Sequence, residues 1–468
     1  MEKLFGTDGM RGEAGRFPLD PETVKTVGRS LARHLAADKG GAPRIVIGRD
    51  TRESGAWIER AFASGAREAG AVCDLAGVIT TPGVAFLVRA LPADAGVVIS
   101  ASHNPFHDNG IKIFATTGRK LDDRVERRIE SDIYAAQDER GTEAQMTQDV
   151  HASSIEAHAT ADEADADESS REARERYLDY LVGEVAGGLR LDGLSVVVDC
   201  ANGAASELAP VLFERLGARV TAINNAPDGR NINLASGSLH MEGLQQKVVE
   251  VGARLGVAFD GDADRALFVD AKGRLVDGDA TLWVMAGRMK ARGELAGDAV
   301  VATVMSNIGL ELALASQGIQ LLRANVGDKY VLEELLRTGA TLGGEQSGHI
   351  IFPRMSLAGD GLITTINMLR ALHETGRALD ELTEGFVRYP QVLVNVRVRE
   401  KIPFEESPEI ARGAQEVEAE LGAGGRLLLR YSGTEPLARV MIEGKRQEEI
   451  ERLANRLAIT IRETLGAA

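Results

Sequence analysis

The sequence predicts an α/β protein with mainly parallel sheets, followed by a smaller C-terminal α+β domain. Short apolar runs that end in glycine or polar loops alternate with stretches of helical periodicity, which is typical of α/β layers. Near the C-terminal end, residues 391–400 instead alternate polar and apolar residues. Its 468 residues exceed one ordinary core and indicate about three or four domains.

The predicted strands of the α/β part lie at 44–48, 96–100, 195–199, 256–260 and 299–303. Candidate helices lie between them at 21–34, 58–68, 244–255 and 328–338. In sheets of this kind, ligand groups sit in loops beyond the carboxyl ends of strands. We therefore expect functional side chains in the loops that follow these runs.

The C-terminal part has a different pattern. Residues 391–400 alternate with a period of two, as a half-buried antiparallel strand does. Two further strand-like runs follow at 426–430 and 438–443, and a helix is expected from about residue 447. These elements predict a separate small domain.

Residues 157–170 are almost entirely Ala, Asp, Glu, Ser, Thr and His. Such a segment has little apolar surface to bury. It is predicted to be a solvated acidic linker or the end of a surface helix.

Composition excludes some classes of function. The formal charge of −16 argues against a general nucleic-acid or anionic-membrane surface. No signal core and no apolar run near about 20 residues is found, so we expect a soluble cytoplasmic protein. The two cysteines, Cys73 and Cys200, fit a reducing compartment.

The sharpest motif is DGDADR at 260–265. Asp260, Asp262 and Asp264 follow a predicted strand and can converge on one hard cation such as Mg²⁺, while Arg265 can hold an oxyanion. An EF-hand is excluded because Arg265 and Ala271 stand where that loop needs Gly and Glu. An acidic solvated turn is the structural alternative.

The second motif is SASHNP at 100–105. Ser102 follows the apolar run 97–99, where a strand delivers it to a loop. A serine hydroxyl needs a base or a cation to act as a nucleophile, and His103 and Lys112 are near in sequence. A polar turn ended by Asn-Pro is an equally good interpretation of this segment alone.

A third, glycine-rich loop lies at 5–12 and contains Arg11. Backbone N–H groups and one arginine can bind an anion. Taken alone, this loop is more typical of an ordinary tight turn.

The fourth loop, GGEQSGH at 343–349, has the glycine spacing of a P-loop. ATP binding is unsupported because His349 and Ile350 replace the Lys and Ser/Thr. Glu345, Ser347 and His349 suit hydroxyl or amine groups of a small polar ligand, and a hairpin turn is the alternative.

The fifth loop, RYSGTEP at 430–436, follows a predicted strand and precedes Arg439. Ser, Thr, glycine N–H groups and arginines can form a phosphate cradle. The residues concerned are Arg430, Ser432, Gly433, Thr434 and Arg439. A capping turn is the alternative.

These five loops, in this order, resemble the α-D-phosphohexomutase superfamily across essentially the whole chain. The resemblance implies three related α/β domains with mixed sheets and a smaller C-terminal α+β domain around a central cleft. The expected domains are 1–150, 171–252, 253–375 and 376–468, with 151–170 as an acidic linker or insertion.

The resemblance also implies residue roles. Ser102 would be the phosphoserine and, with the three aspartates, would bind one Mg²⁺ per subunit. Arg11, His103 and Lys112 match positions that assist proton and phosphoryl transfer. The expected substrate-binding residues are Arg265, Glu345, Ser347, His349, Arg430, Ser432, Gly433, Thr434 and Arg439.

Within the superfamily, the chain resembles the bacterial branch that acts on glucosamine phosphates. The matching segments are FGTDGMRG at 5–12, VVVDCANGA at 196–204, PDGRNIN at 227–233, VGDKYV at 326–331 and Gln346. It departs from the commonest pattern at Ala263, Ser236 and Lys329, where Gly, Cys and Arg are more usual.

The resemblance implies an isomerase that interconverts glucosamine 6-phosphate and glucosamine 1-phosphate through a sugar 1,6-bisphosphate, for UDP-N-acetylglucosamine synthesis. It further suggests a homodimer. The nearest alternative is a phosphoglucomutase/phosphomannomutase. A phosphatase with Asp260 as nucleophile and a non-catalytic sugar-phosphate sensor are the alternatives from other classes.

Overall fold

The structure is a computed structural model that describes residues 3–6, 8–146, 162–432 and 435–466. Its strands form a six-stranded, a five-stranded, a four-stranded and a three-stranded sheet within these residues. Each sheet belongs to one domain, and the domains follow one another along the chain.

The first domain carries the six-stranded sheet, in the order β1-β2-β6-β5-β3-β4. Its strands are β1 Phe5–Gly6, β2 Gly9–Glu13, β3 Arg44–Arg49, β4 Val72–Val78, β5 Ala95–Ile99 and β6 Asp108–Ala115. Its helices are α1 Pro21–Lys39, α2 Gly55–Glu68, α3 Thr81–Ala90 and α4 Asp123–Met146.

The second domain carries the five-stranded sheet, in the order β11-β10-β9-β7-β8. Its strands are β7 Ser195–Asp199, β8 Arg219–Ile223, β9 Leu255–Phe259, β10 Ala266–Asp270 and β11 Leu275–Val276. Its helices are α6 Ala205–Arg215 and α7 Glu242–Val251. Helix α5 Asp162–Tyr180 precedes this domain and packs against β4 of the first domain, where the Ser170 hydroxyl donates to the Leu75 carbonyl. The described part of the acidic segment, 162–170, is therefore the start of a helix rather than a linker.

The third domain carries the four-stranded sheet, in the order β13-β12-β14-β15. Its strands are β12 Ala299–Thr303, β13 Gln320–Ala324, β14 Gly343–Gly344 and β15 Ile350–Ile351. Its helices are α8 Gly278–Ala291, α9 Ile308–Ser316, α10 Asp328–Thr338, α11 Gly361–Thr375 and α12 Leu379–Leu382.

The fourth domain is the smaller α+β domain that the sequence predicts. Its strands β16 Gln391–Arg397, β17 Arg426–Tyr431 and β18 Leu437–Glu443 form an antiparallel sheet with β18 in the middle. Its helices are α13 Pro408–Leu421 and α14 Gln447–Leu465.

The three larger sheets are mixed, as the resemblance implies. The pairs β3–β4, β7–β8 and β12–β13 are parallel, whereas β5–β6, β9–β10 and β14–β15 are antiparallel. The expectation of mainly parallel sheets is wrong, because short connections add antiparallel strands at one edge of each sheet.

The second sheet also crosses the expected boundary between residues 252 and 253. Strand β9 pairs in parallel with β7, and β10 pairs with β9, so residues 255–270 belong to the second domain. The DGDADR loop, which joins β9 to β10, therefore lies in the second domain and not in the third.

The apolar core shows how the domains are joined. One continuous cluster of buried side chains contains Val46 of the first domain, Phe259 of the second and Ile363 of the third. The fourth domain has its own cluster around Ile442 and Leu457. The first three domains thus share a core, and the fourth folds around a separate one.

Candidate active site

Ser102 is buried in the loop that follows β5, and its backbone adopts φ +52°. Its N–H donates to Ser100 Oγ at 2.9 Å, and its carbonyl accepts from Arg52 and from the Asn233 side chain, each at 2.9 Å. Residues other than glycine rarely adopt this left-handed conformation. The hydrogen bonds hold Ser102 in it.

The support beneath Ser102 is a buried ion pair. Arg52 Nε donates to Asp50 Oδ2 at 2.8 Å, and that oxygen also accepts from Ser100 Oγ at 2.7 Å. Burial raises the pKa of Asp50, and Arg52 opposes this shift. These residues were not predicted as part of the site, although Asp50 and Arg52 lie just beyond the predicted strand at 44–48.

The three aspartates of the DGDADR loop converge as predicted. Asp260, Asp262 and Asp264 are buried, and one ligand oxygen of each lies within 4.8 Å of the others. Asp260 Oδ2 accepts a hydrogen bond from the Ser102 hydroxyl at 2.5 Å. The serine loop of the first domain and the aspartates of the second therefore form one site.

The oxygens of the triad indicate a cation. Asp262 Oδ1 is buried and has no hydrogen-bond partner among the described residues, and buried Asp264 Oδ1 has only longer ion-pair contacts there, with His349 Nδ1 at 3.6 Å and Arg265 Nε at 3.8 Å. Burial and the neighbouring carboxylates Asp264 and Asp262 raise the pKa of Asp260 well above its usual range. Buried unpartnered oxygens of this kind are costly unless a cation is bound, so the residues fit a divalent metal ion.

Lys112 supplies positive charge beside the triad. Its buried Nζ lies 3.0 Å from Asp262 Oδ2, 3.3 Å from Asp8 Oδ2 and 3.6 Å from Asp264 Oδ2. Burial alone would lower the pKa of Lys112, but Asp262 and Asp8 outweigh it and raise the pKa above its usual value. Lys112 is therefore charged.

Asp8 connects Lys112 to Arg11 and Lys120, two further cations. Arg11 pairs with Asp8 and also donates to the Ala101 carbonyl. Lys120 Nζ lies 2.7 Å from Asp8 Oδ1 and 2.8 Å from Asp328 Oδ2 of the third domain. Asp8 and Lys120 were not predicted as part of the site. The sequence places Asp8 in the same glycine-rich loop as Arg11 and Lys120 shortly before α4, and neither position indicates this contact.

His103 lies against the serine hydroxyl. Its Nδ1 is 3.2 Å from Ser102 Oγ. Burial lowers the pKa of His103 to about 4, helped by the positive charges of Arg265 and Arg11. A neutral imidazole is thus in place to exchange a proton with Ser102 Oγ.

The loop at 343–349 turns between β14 and β15 and meets the metal loop. His349 Nδ1 is 3.6 Å from Asp264 Oδ1, and Asp264 raises the pKa of His349 to about 9 although burial opposes this. Glu345 accepts from the Gly327 N–H at 3.0 Å. The Ser347 hydroxyl is buried and has no hydrogen-bond partner in the described part of the chain, so it can serve a ligand.

A cavity of about 560 Å³ opens beside these residues and separates the first from the third domain. It is lined by Asp8, Lys112, Lys120, Asp264, Asp328 and His349, among others. A volume of this order suits a small polar ligand.

The fifth loop lies in the fourth domain. Ser432 Oγ accepts from Arg439 and from the Glu435 N–H, both at 3.3 Å. Arg430 and Arg439 stand opposite each other on β17 and β18, and burial together with Arg439 lowers the pKa of Arg430. An anion would relieve this repulsion. Gly433 and Thr434 lie outside the described residues.

The structure thus unites most of the predicted site. Ser102, His103, Lys112, the three aspartates, Arg265 and His349 are joined through direct contacts, with Arg11 linked through Asp8. The described hydrogen-bond partners of Ser432 and Arg439 lie within the fourth domain.

Comparison with known proteins agrees with this arrangement. Models of the phosphoglucomutase/phosphomannomutase family match along the chain: α/β/α domain I at residues 2–140, domain II at 175–273, domain III at 277–389 and the C-terminal domain at 393–460. The phosphoglucosamine mutase of Solibacter usitatus is 49% identical over 463 residues, covering 99% of each chain.

The chain belongs to the phosphoglucosamine mutases of the α-D-phosphohexomutase superfamily. Other phosphoglucosamine mutases agree: that of Rhodococcus opacus is 48% identical and that of Moorella thermoacetica 47%, with at least 97% of each chain covered.

Solved structures share the fold. A phosphoglucomutase/phosphomannomutase family protein of Burkholderia thailandensis has a TM-score of 0.76 at 24% identity, covering 98% of this chain and 97% of its own. The Aspergillus fumigatus N-acetylphosphoglucosamine mutase, solved with GlcNAc-6P and magnesium, has a TM-score of 0.64 at 19% identity, covering 98% and 95%. Among the described residues, no helix is long and apolar enough to cross a bilayer.

Proposed function

We propose that this chain interconverts glucosamine 6-phosphate and glucosamine 1-phosphate through a phosphorylated Ser102. The observation that carries the proposal is the Ser102 hydroxyl, 2.5 Å from a buried aspartate triad with unpartnered oxygens. The amino-sugar substrate is supported by full-length relatives that bear the name phosphoglucosamine mutase. This product would supply UDP-N-acetylglucosamine synthesis.

The reaction consists of two balanced transfers. In the first, the bond between phosphorus and Ser102 Oγ breaks while phosphorus bonds to the free sugar hydroxyl, whose proton passes to Oγ. The sugar 1,6-bisphosphate then reorients. In the second, Oγ bonds to the other phosphorus, the sugar–phosphate bond breaks, and the proton returns to the sugar. His103, 3.2 Å from Oγ, is placed to exchange this proton.

We propose Mg²⁺ as the cation, held by Asp260, Asp262, Asp264 and the phosphorylated Ser102. When bound, it neutralises charge on the transferred phosphoryl group. Lys112 and Arg265 add fixed positive charge around the same group, because both contact the aspartate loop. Arg11 is oriented toward the serine loop by Asp8 and the Ala101 carbonyl.

The remaining predicted residues are assigned to the rest of the substrate. Glu345, Ser347 and His349 would bind the sugar hydroxyl or amine groups. The fourth-domain loop would clamp the phosphate that does not react, through Arg430, Ser432, Gly433, Thr434 and Arg439. Such a clamp must accept phosphate at either end of the sugar, which suits general phosphate donors.

Two alternatives make different predictions. A phosphatase would need a free nucleophile at Asp260, yet its Oδ2 is bound by Ser102 and its Oδ1 by the Arg265 N–H at 3.1 Å. A phosphoglucomutase/phosphomannomutase would use the same chemistry on another sugar, and substrate preference separates it from our proposal.

The test is side-by-side turnover of glucosamine, glucose and mannose 6-phosphates with Mg²⁺ and a trace of sugar 1,6-bisphosphate. We expect a large kcat/KM preference for the amino sugar. A parallel preparation of Ser102→Ala controls for contaminating mutases. Equal turnover of glucose or mannose phosphate would overturn the substrate, and release of inorganic phosphate would overturn the mutase reaction itself.

The homodimer stays a prediction of the family resemblance, and the cytoplasmic location stays a prediction of the sequence pattern. Light scattering of the purified protein checks the first, and cell fractionation checks the second.

A further inference from the structure

Thr81 contacts the aspartate loop from another domain. It is the first residue of α3 in the first domain and is buried. Its N–H donates to the Asp262 carbonyl at 3.0 Å, and its Oγ1 donates to Asp262 Oδ2 at 2.6 Å. One side chain and its own backbone therefore hold both the backbone and the carboxylate of Asp262.

The two oxygens of the Asp262 carboxylate have different surroundings. Oδ2 accepts from Thr81 Oγ1 and from Lys112 Nζ, at 2.6 and 3.0 Å. Oδ1 is buried and has no partner among the described residues. The hydrogen bonds to Oδ2 fix the rotation of the carboxylate, so that Oδ1 remains for a cation.

The start of α3 explains how Thr81 can serve another domain. Thr80 Oγ1 caps the helix by accepting from the Gly83 N–H at 3.1 Å, and Pro82 has no N–H. The Thr81 N–H has no carbonyl partner within the first turn and is available to Asp262.

We propose that Thr81 is a positioning residue that sets Asp262 for metal binding and locks the aspartate loop onto the first domain. The proposal rests on the divalent-metal site of the proposed function. Hydrogen-bond partners that orient metal-binding side chains typically contribute about 10- to 100-fold to metal affinity. Loss of the Thr81 hydroxyl is expected to weaken metal binding by this amount.

The experiment measures Mn²⁺ binding by electron paramagnetic resonance in the full-length protein. Thr81→Val keeps the branched shape and removes the hydroxyl, and we expect its Kd for Mn²⁺ to rise about 10-fold or more. Thr81→Ser restores a hydroxyl and should return the Kd to within about threefold of wild type. Thr81→Ala removes the hydroxyl with a smaller side chain, so the comparison stands if Thr81→Val does not fold.

Thr26→Val is the matched control. Thr26 is a buried threonine on α1 whose hydroxyl donates to the Glu22 carbonyl of its own helix at 2.9 Å. The Kd of the Thr26→Val variant for Mn²⁺ should equal that of the wild type. Thermal unfolding without metal measures the stability that Thr81→Val and Thr26→Val each lose. A merely structural role of Thr81 predicts similar losses in the two variants and an unchanged Kd for Mn²⁺ in both.

The outcomes separate the two proposals. Wild-type Mn²⁺ affinity in Thr81→Val or Thr81→Ala overturns the role of Thr81 and leaves the metal site intact. Absence of Mn²⁺ binding by the wild type overturns the metal site, and the role of Thr81 with it. A selective loss that serine rescues supports both.

Discussion

Ser102 owes its position to partners far along the chain. Arg52 and Asn233, which bind its carbonyl, are 50 and 131 residues away. A Cβ on Gly261 would lie 2.4 Å from the Ser102 carbonyl oxygen, so the space between the aspartate loop and the serine loop admits no side chain at this position. The nucleophile and the metal loop therefore depend on each other's backbone.

Replacing Ser102 by alanine should abolish turnover, with kcat falling by at least about 10⁴-fold, because no other group carries the phosphoryl group. The Ser30→Ala variant is the control. Ser30 is another buried serine that donates to a carboxylate, that of Asp132 at 2.6 Å, but it lies on α1. Steady-state kinetics should show Ser30→Ala near wild type; activity in Ser102→Ala would contradict the mechanism.

Among the residues of the site, those that carry the proposed chemistry could be predicted from the sequence, whereas those that support them could not. Ser102 and the aspartates were predictable because each follows an apolar run. Thr81 and Lys120 were not, because their partners, Asp262 and Asp328, are 181 and 208 residues away. No local pattern reports contacts of that separation.

The loop at 343–349 and the start of α8 form a single packed element. Gly278 N–H donates to the Gln346 carbonyl at 3.0 Å, and a Cβ on Gly278 would lie 2.0 Å from the Glu345 carbonyl. The Gln346 side chain also reaches Asp277, which caps α8. Any side chain at residue 278 must displace the proposed sugar-binding loop.

The Gly278→Ala variant should raise the KM for the sugar phosphate about tenfold or more, because the displaced loop carries Glu345 and Ser347. Gly287→Ala, in the exposed middle of the same helix, meets nothing within 4 Å. It should raise the free energy of unfolding by about 1 kcal/mol and leave KM unchanged. An unchanged KM in a folded Gly278→Ala would contradict this role of the loop.

Element boundaries were predictable where a local signal ends the element. The helix expected at 328–338 is α10, Asp328–Thr338. The helix expected at 244–255 instead ends at Val251, because Gly252 adopts φ +62° as its C-cap and Leu255 already begins β9. The glycine signal was present in the sequence, and the apolar residues beyond it belong to the strand.

The fourth domain meets the others through a buried carboxylate. Glu443 at the end of β18 accepts from the Ile308 N–H at 3.1 Å, at the start of α9, and pairs with Arg426 at 2.8 Å. Burial raises the pKa of Glu443, and Arg426 opposes this. Since the two parts have separate cores, we expect this polar junction to determine how firmly the fourth domain is held against the third.

The Glu443→Ala substitution should lower the free energy of unfolding by about 3–5 kcal/mol, since Arg426 and the α9 N-terminus lose a buried partner. We expect calorimetry to show the fourth domain unfolding apart from the rest. The control is Glu420→Ala, which removes the partner of Arg452 and Arg456 on the surface of the same domain. This change should lower the free energy of unfolding by less than about 1 kcal/mol. Equal losses in the two variants would contradict the importance of the junction.

The four-domain architecture was implied by the family resemblance of the ordered motifs, whereas one of the expected domain boundaries was wrong. Strand β9 joins β7 across α6, β8 and α7, and periodicity cannot show such a pairing. As a result the aspartate loop was expected in the third domain and lies in the second. The site is therefore assembled at the meeting of domains, with Ser102 from the first, the aspartates from the second and His349 from the third.

The most direct test of the account follows the phosphoryl group itself. Enzyme that carries an isotopically labelled phosphoryl group on Ser102 is mixed with unlabelled glucosamine 6-phosphate in the absence of added bisphosphate, and the label is followed by mass spectrometry in the Ser102 peptide and in the sugar products. We predict that the labelled phosphoryl group of Ser102 appears on the sugar, while the Ser102 peptide remains phosphorylated with unlabelled phosphate from the substrate. Product formation with the labelled phosphoryl group retained on Ser102, or found on Asp260, would contradict it.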